Sequence, residues 1–338
     1  MLNQRYLKQT LILLLSLMSI FAWSQTYNMV YDDEFNGDTL DLTKWNIQVG
    51  YAPNQEKEYY TNGNNIRVEN GNLIISAKKE NVVTDRNYSS GRIYSKSKGF
   101  LKYGKVEARI SVPSGAGTWP AFWMMPQSSV YGSWPKSGEI DILEHIGSDP
   151  RMTSHAVHTA LKNGSLGNNW FTKVYKDSME NNFHIYSINW DPDQILFYID
   201  NIKTATLYRN YTDTYTGWPF DQEFYVILNL AVGGTMGGTI DDNIFNNPVE
   251  LKVDYVRLYQ LVTAIDEVHD SNVKVFPTKF SDKINIDADA PTRIKIFDNI
   301  GKILVDRKIS GNVIINTSNF SNGIYFLQTN TKTFKLIK

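Results

Sequence analysis

Three acidic residues lie close together in the segment 138–145, which reads GEIDILEH. Its apolar residues predict a β-strand whose isoleucines face a core, so that Glu139 and Asp141 share the opposite face. Strict alternation would turn Glu144 into the core, where an uncompensated carboxylate is very costly. We therefore predict a β-bulge around Ile142-Leu143, which returns Glu144 to the face of the other two acids.

Three acids on one strand face repel one another, so a reason other than stability is needed. The acidic cluster has three interpretations: a cation site, an exposed acidic strand, or a site of glycoside hydrolysis. A retaining glycosidase needs two carboxyl groups about 5–5.5 Å apart, and side chains two strand steps apart can reach roughly that spacing. Asp141 would then orient Glu139 and share a proton with it, while the crowded charge would raise the pKa of Glu144, as an acid catalyst requires.

Aromatic residues precede the acidic segment. Trp119 and Trp123 lie in the run 117–126, GTWPAFWMMP, and Trp134 follows shortly after. Sugar rings present apolar C–H faces on which indoles stack, whereas an indole far from polar groups is more often part of a core. Next to three acids, the sugar-binding interpretation is favoured.

Short alternating runs separated by Gly, Asn, Asp and Pro fill the chain from residue 27 to 260, for example at 71–77, 104–110 and 194–199. Period two with β-branched and aromatic residues predicts strands, and few helices are expected. A unit of this size built from many strands implies two packed sheets. We expect an all-β fold, a concanavalin A-like jelly-roll β-sandwich, followed by a small C-terminal β-sandwich.

The composition excludes several classes. With 338 residues, 42% of them hydrophobic, the chain can build sizeable cores, and neither disorder nor a fibrous class fits. Lys+Arg 34 against Asp+Glu 35 gives no sign of nucleic-acid binding. The absence of Cys excludes disulfides, Cys-ligated zinc and thiol nucleophiles.

The chain divides into four parts. A cationic start, an apolar run and the site Ala22-Trp23-Ser24 predict a signal peptide at 1–24, since the run is too short for a membrane-spanning helix. A catalytic domain at 25–261 and a linker at 262–270 precede a tail at 271–338. The tail carries a net charge of +6 and no Trp, whereas residues 25–270 carry −9.

The tail resembles the C-terminal sorting domain of type IX secretion. The matching pieces are 275–280 (VFPTKF), 296–302 (IFDNIGK), 321–326 (SNGIYF) and 335–338 (KLIK). The resemblance implies the type IX secretion machinery as a partner, a secreted or cell-surface location, and removal or surface attachment of the tail. A carbohydrate-binding module is the alternative, but a sugar platform normally needs exposed aromatic faces.

The segment 139–144, EIDILE, resembles the catalytic signature of glycoside hydrolase family 16, and 117–126 resembles the strand of its laminarinases. Further matches are 33–37 (DEFNG), 58–61 (EYYT), 91–93 (GRI), 100–110, 224–234 and 253–259 (VDYVRLY). The resemblance implies Glu139 as nucleophile, Glu144 as acid/base and Asp141 as their assistant. It also implies six substrate-binding residues, namely Trp119, Trp123, Trp134, Asn65, Arg92 and His158, although a lone histidine is also compatible with a bond within the sheet.

The same resemblance implies one structural calcium ion, held by Glu34, the carbonyl of Gly71, and Asp254, because hard oxygen ligands suit that ion. No cofactor is expected to be required for catalysis. One departure from the family concerns the loop after AVGG, where laminarinases commonly carry a Trp and this chain has Met236. Methionine stacks less well on a sugar, so the strength of this subsite and the linkage preference stay open.

The expected function is a secreted, monomeric, retaining endo-hydrolase of β-1,3-glucan (laminarin), with mixed β-1,3/1,4-glucan as a further substrate left open. Agarase, porphyranase or carrageenase activity is an alternative within the same chemistry, although sulfated substrates would favour clustered cations in the cleft. A non-catalytic β-glucan-binding protein would typically lose the catalytic acids, and a legume-lectin-like binder would need a metal-and-Asn site.

Overall fold

The computed structural model describes residues 26–247, 249–262, 273–329 and 332–338. The expected signal peptide at 1–24 lies outside the described residues, as does nearly all of the expected linker at 262–270. Within the described ranges, no helix has the length and apolar character that crossing a membrane requires.

The chain forms two compact units, one of which spans Tyr27–Leu261 while the other contains Val262–Lys338. The first unit consists mainly of strands: β1 (Thr26–Asp33), β2 (Asn46–Ile47), β3 (Glu58–Tyr60), β4 (Ile66–Glu69), β5 (Asn72–Val83), β6 (Arg86–Ser90), β7 (Arg92–Tyr94), β8 (Phe100–Leu101), β9 (Gly104–Ser111), β10 (Thr118–Pro126), β11 (Glu139–His145), β12 (Met152–His158), β13 (Trp170–Tyr175), β14 (Phe183–Trp190), β15 (Gln194–Ile199), β16 (Ile202–Tyr208), β17 (Phe224–Val232) and β18 (Val249–Val262). Among the described residues of this unit, the helical pieces are one short helix, α1 (Gly234–Gly237), and two 3₁₀ turns (Gly164–Leu166 and Asp242–Asn246).

These strands build two large sheets. One has ten strands in the order β16-β15-β14-β9-β18-β5-β6-β3, with β1 and β4 attached to β18 and β5. The other has eight strands in the order β13-β12-β11-β10-β17-β7-β2, with β8 attached to β17. Alternate side chains of both sheets form one hydrophobic core, to which β11 contributes Ile140 and Ile142 and β18 contributes Val256. The expected all-β jelly-roll sandwich with few helices is confirmed.

Strand β11 contains the predicted bulge. Asp141 pairs with Ala156 of β12, and the next pair is Glu144 with Ser154, so two residues of β11 stand opposite one residue of β12. Because paired residues share a face, and because residues 154 and 156 lie two apart, Glu144 returns to the face of Asp141. The bulge prediction from the sequence is confirmed.

A buried histidine supports this bulge. The ring of His155 lies opposite the bulged residues, and its Nδ1 donates to the carbonyl oxygen of Ile142 at 2.7 Å. Its Nε2 lies 2.8 Å from the hydroxyl of Thr204, and its ring stacks on Phe197 at 4.8 Å. Burial lowers the pKa of His155 to about 4, so the ring is neutral and its proton is on Nδ1, the nitrogen that faces the carbonyl.

The second unit is also built from strands: β19 (Val273–Phe276), β20 (Lys283–Asp298), β21 (Ile303–Asn316), β22 (Ile324–Gln328) and β23 (Thr333–Ile337). They form one sheet in the order β19-β20-β22-β23, with β21 on β20. Both halves of the long β20 contribute to a single core, as Ile286 and Ile296 show, and this core shares no residue with that of the first unit.

We predict that His155→Leu lowers the free energy of unfolding of the first unit by about 2 kcal/mol, because it leaves the Ile142 carbonyl without a donor inside the core. The described tryptophans all lie in this unit, so urea unfolding followed by tryptophan fluorescence reports on it. Thr204→Val keeps the bond to Ile142 and should cost less. A His155→Leu protein as stable as the wild type would contradict the support assigned to His155.

Candidate active site

The three acids lie on the outer face of the eight-stranded sheet, away from the core. Across the strands, Trp123 of β10 pairs with Asp141 and Ala121 pairs with Glu144, while on the other side Glu139 pairs with His158. Trp119 lies two residues before Ala121 and therefore on the same face. The sheet thus brings the predicted acids together with two of the predicted tryptophans and the predicted histidine.

Each glutamate accepts a hydrogen bond from a different indole. The Nε1 of Trp134 donates to Oε2 of Glu139 at 2.5 Å, and the Nε1 of Trp119 donates to Oε1 of Glu144 at 3.2 Å. Trp119 is buried, whereas Trp134 is 42% exposed and lies on a loop. An indole N–H is a donor only, so each bond fixes an oxygen of the carboxyl group in place and favours its ionised form.

His158 has a defined tautomer. Its Nδ1 accepts a hydrogen bond from the backbone N–H of Gly164 at 3.0 Å, so the ring proton of the neutral form is on Nε2. That nitrogen lies 3.3 Å from Oδ2 of Asp141, a buried oxygen that forms no hydrogen bond among the described residues. His158 therefore lies beside the central carboxyl group of the cluster without a hydrogen bond to it.

Burial and mutual repulsion raise the pKa of all three acids. Desolvation, followed by the charge of Asp141, raises the pKa of Glu139 to about 8. Desolvation, followed by the charge of Glu139, raises the pKa of Glu144 to about 7, and the pKa of Asp141 is raised well above its usual value. Carboxylate oxygens of Glu139 and Asp141 lie within 4.8 Å of each other, so the two groups titrate together. The cluster therefore holds protons near neutral pH, because ionising all three groups would leave three adjacent charges in a desolvated site.

A polar wall borders the site on the side of β17 and β7. The guanidinium of Arg92 lies 4.6 Å from the ring centre of Trp123, whose Nε1 donates to Oδ1 of Asn229 at 2.8 Å. The amide of Asn229 donates to the hydroxyl of Tyr60, and that hydroxyl donates to Glu56. Trp123 is thus held at its edge by one hydrogen bond and on one face by Arg92.

The sequence analysis missed Asn229 and Tyr60, which hold this wall. A signal was present, because Asn229 is the only amide in the apolar strand β17, FYVILNLAV. A buried amide in such a run needs partners, and here they are Trp123 and Tyr60.

Asn65 has a different role from the expected one. Its side chain is 2% exposed, its amide nitrogen donates to the Ser76 carbonyl and to Ser89, and its oxygen accepts from Thr61. With both ends of the amide bonded inside the protein, Asn65 supports strands β5 and β6 and is not presented to a sugar.

The residues expected to bind calcium do not fit the ion in this arrangement. Both oxygens of Glu34 accept from the guanidinium of Arg257, at 2.6 and 2.8 Å. Asp254 accepts from Arg109 at 2.7 Å, and Gly71 has a positive φ of 73°. Two carboxylates already paired with arginines offer calcium little net charge, so no step below involves this ion.

Among the residues that the structure describes, one set could hold a metal by proximity. Ligand atoms of Glu139, Asp141 and His158 lie within 4.8 Å of one another. The indole N–H of Trp134 donates to a carboxylate oxygen of this set, and such a donor opposes a cation at that oxygen. The geometry therefore favours proton chemistry at these atoms.

The arrangement agrees with comparisons to known proteins. Residues 53–257 match the model of the glycosyl hydrolases family 16, and residues 274–338 match that of the secretion system C-terminal sorting domain. The tail therefore indicates type IX export to the cell surface or the medium, as expected from the sequence.

Individual relatives cover the first unit. A β-glucanase of Rhodothermus marinus is 40% identical over 252 residues, which are 70% of this chain and 86% of that protein. A glucan endo-1,3-β-glucosidase of Cryptopygus antarcticus is 38% identical over 62% of this chain and 81% of its own length. The structure of the laminarinase from Rhodothermus marinus, 40% identical, superposes with a TM-score of 0.68 over 71% of this chain and 100% of its own.

The family match covers more than half of the chain, and it includes the strand on which a bulge gathers three carboxyl groups beneath two indoles. The chain belongs to glycoside hydrolase family 16, and its first unit is a glycosidase.

Proposed function

We propose that this protein cleaves β-1,3-glucan within the chain and with retention of anomeric configuration. The observation that carries the proposal is the bulged strand β11, which places Glu139, Asp141 and Glu144 on one outer sheet face with an indole N–H on each glutamate. Retaining glycosidases use such a pair of carboxyl groups, one as nucleophile and one as acid and base.

In the first step, an ionised oxygen of Glu139 attacks the anomeric carbon. The bond from that carbon to the glycosidic oxygen breaks, and the proton of Glu144 passes to this oxygen as the leaving sugar departs. Asp141 lies within 4.8 Å of Glu139 and 3.3 Å from the Nε2 of His158, and its raised pKa keeps a proton beside the attacking carboxyl group while that group is an anion. The three acids share their protons, and the reactive state is the one in which Asp141 and Glu144 are protonated and Glu139 is ionised.

In the second step, Glu144 acts as a base. Once Glu139 is esterified to the sugar it carries no charge, and its repulsion no longer raises the pKa of Glu144. Glu144 then takes a proton from water, the water oxygen attacks the anomeric carbon, and the bond to Glu139 breaks. The charge of Glu139 therefore determines whether Glu144 is an acid or a base.

The substrate class is supported by the relatives and by the wall of the site. The similar enzymes are a β-glucanase, an endo-1,3-β-glucosidase and a laminarinase. Trp123 offers a flat face for a neutral sugar, and the domain carrying the site is acidic overall. Met236, in the short helix α1, replaces an indole that would stack more strongly, so mixed β-1,3/1,4-glucan is included as a second substrate.

We predict that the protein releases reducing ends from laminarin, more slowly from lichenan and not from agarose. Early products should be the β-anomer by proton NMR, because two inversions restore the starting configuration. Glu139→Ala should reduce kcat at least about 1,000-fold, since the covalent step is lost. Early α-anomer would contradict a nucleophilic Glu139, and a wild-type protein inactive on every β-glucan would contradict the proposed function.

Rescue by azide distinguishes the catalytic roles of the two glutamates. With a nitrophenyl glycoside, whose leaving group needs no proton, Glu139→Ala plus azide should yield the α-glycosyl azide, because azide replaces the nucleophile directly. Glu144→Ala should still form the covalent intermediate and yield the β-glycosyl azide. Thin-layer chromatography and NMR identify the products. The opposite assignment of anomers would exchange the two roles.

We predict that Glu139→Gln lowers the pKa of Glu144 from about 7 towards the ordinary glutamate value, because a neutral amide no longer repels the Glu144 anion. Carbon-13 NMR of protein labelled at glutamate side chains measures this titration. Asp306→Asn, a comparable change in the second unit, serves as the control and should leave the titration unchanged. A Glu144 pKa that stays the same or rises in Glu139→Gln would contradict the charge coupling.

A further inference from the structure

The outer face that carries the acids continues across two more strands to the edge of the sheet. Ser154 lies opposite Glu144 on β12, and Lys173 of β13 lies opposite Ser154. In the neighbouring row, Ala156 lies opposite Asp141, and Phe171 lies opposite Ala156. Because opposed residues share a face, Phe171 and Lys173 lie on the same face as the catalytic acids.

Strand β13 alternates strictly between its two faces. Trp170, Thr172 and Val174 are half-buried, and the ring of Trp170 stacks on Phe197 at 5.2 Å in the core. The other three residues, Phe171, Lys173 and Tyr175, are exposed, with Phe171 at 38% and Tyr175 at 58%. An edge strand usually keeps large aromatic side chains off its solvent face, so two of them flanking a lysine form a stripe that needs an explanation.

The stripe lies opposite the polar wall. From β11, the wall of Trp123 and Arg92 lies towards β10, β17 and β7, whereas the stripe lies towards β12 and β13. Strands are about 4.8 Å apart, so the stripe is about 10 Å from the acids, within reach of the second sugar ring on that side. The residues between them, Ser154 and Ala156, are small and do not obstruct a chain.

The stripe also carries a free cation. Within the described ranges Lys173 forms no ion pair, whereas the neighbouring cations Arg151 and Lys176 pair with Asp177 and Asp200. A lysine on an edge strand commonly serves to block pairing with other chains. Between two aromatic rings, its ammonium can also donate to the hydroxyl groups of a sugar stacked on those rings.

We infer that Phe171, Lys173 and Tyr175 bind the leaving-group end of the glucan chain, on the opposite side of the scissile bond from Trp123 and Arg92. This inference depends on the proposed function, because an enzyme that cuts within a chain must hold sugars on both sides of the bond. Binding energy from sugars remote from that bond contributes to kcat/KM through the transition state. The stripe would therefore favour long chains over short ones.

The test compares two substrates in the full mature protein. Laminarin occupies both sides of the bond, whereas nitrophenyl β-laminaribioside places its sugars on the wall side and only the nitrophenyl group on the stripe side. We expect the double variant Phe171→Ala/Tyr175→Ala to lower kcat/KM on laminarin about tenfold and to leave nitrophenol release within about twofold. Lys173→Met, which keeps the aliphatic stem, should lower kcat/KM on laminarin about fivefold.

A second measurement reports the stripe directly. When laminaribiose is added to the nitrophenyl substrate, it competes with water for the covalent intermediate, and the ratio of transfer to hydrolysis should fall about tenfold in the double variant. As a control, Tyr208→Ala removes an exposed tyrosine from β16, an edge strand of the other sheet. It should change neither kcat/KM on laminarin nor the ratio of transfer to hydrolysis. Thermal melting checks that each variant is folded. If the double variant does not fold, Phe171→Ala and Tyr175→Ala are measured separately.

The outcomes are distinct. Equal losses on both substrates, or unchanged transfer to laminaribiose, would overturn the assignment of the stripe to the leaving-group side. Unchanged laminarin cleavage in the double variant would overturn the assignment as well. Lys173 would then serve only to block pairing of the edge strand with other chains. A wild-type protein that releases nitrophenol but does not cut laminarin would instead contradict the proposed function.

Discussion

A single extra residue in β11 determines the chemistry of this protein. Without it, Glu144 would point into the same core as Ile140 and Ile142, and the strand could not form. With it, one carbonyl of the strand loses its place in the sheet ladder, and His155 supplies the missing donor from inside the core. The catalytic face is therefore maintained by a neutral histidine on the opposite side of the sheet, which never meets the substrate.

Placing three carboxyl groups side by side lowers the stability of the fold. The surrounding donors reduce this loss, and the remaining repulsion raises the pKa values that catalysis needs. Two indole N–H groups donate to the glutamates without adding full charges. A lysine or arginine in their place would pair with a glutamate and hold its pKa low, which would remove the acid needed in the first step. Neutral donors orient the carboxyl groups while the repulsion between them keeps the protons in the site.

Much of this site could be predicted from the sequence, because the free-energy cost of burying a carboxylate depends on the alternation within a single strand. A carboxylate cannot lie in a core, so the alternation around Glu144 required a bulge, and the structure has it. Asn65 could not be placed in the same way, since its burial depends on Ser76, Ser89 and Thr61, which reach it only in the folded sheet. The stripe of β13 was also missed, because the run WFTKVY has aromatic residues on both faces and period two alone does not tell which face is outside. His155 gave no signal, since its role exists only opposite the bulged residues.

The place of β18 in its sheet has a consequence for biosynthesis. This strand is the last of the first unit, yet it lies in the middle of the ten-stranded sheet, between β9 and β5. Until it has been made, the two halves of that sheet have no common neighbour and their facing edges stay open. The sandwich therefore cannot close until β18 is free to insert between β9 and β5, and before that step the two open edges expose the chain to aggregation.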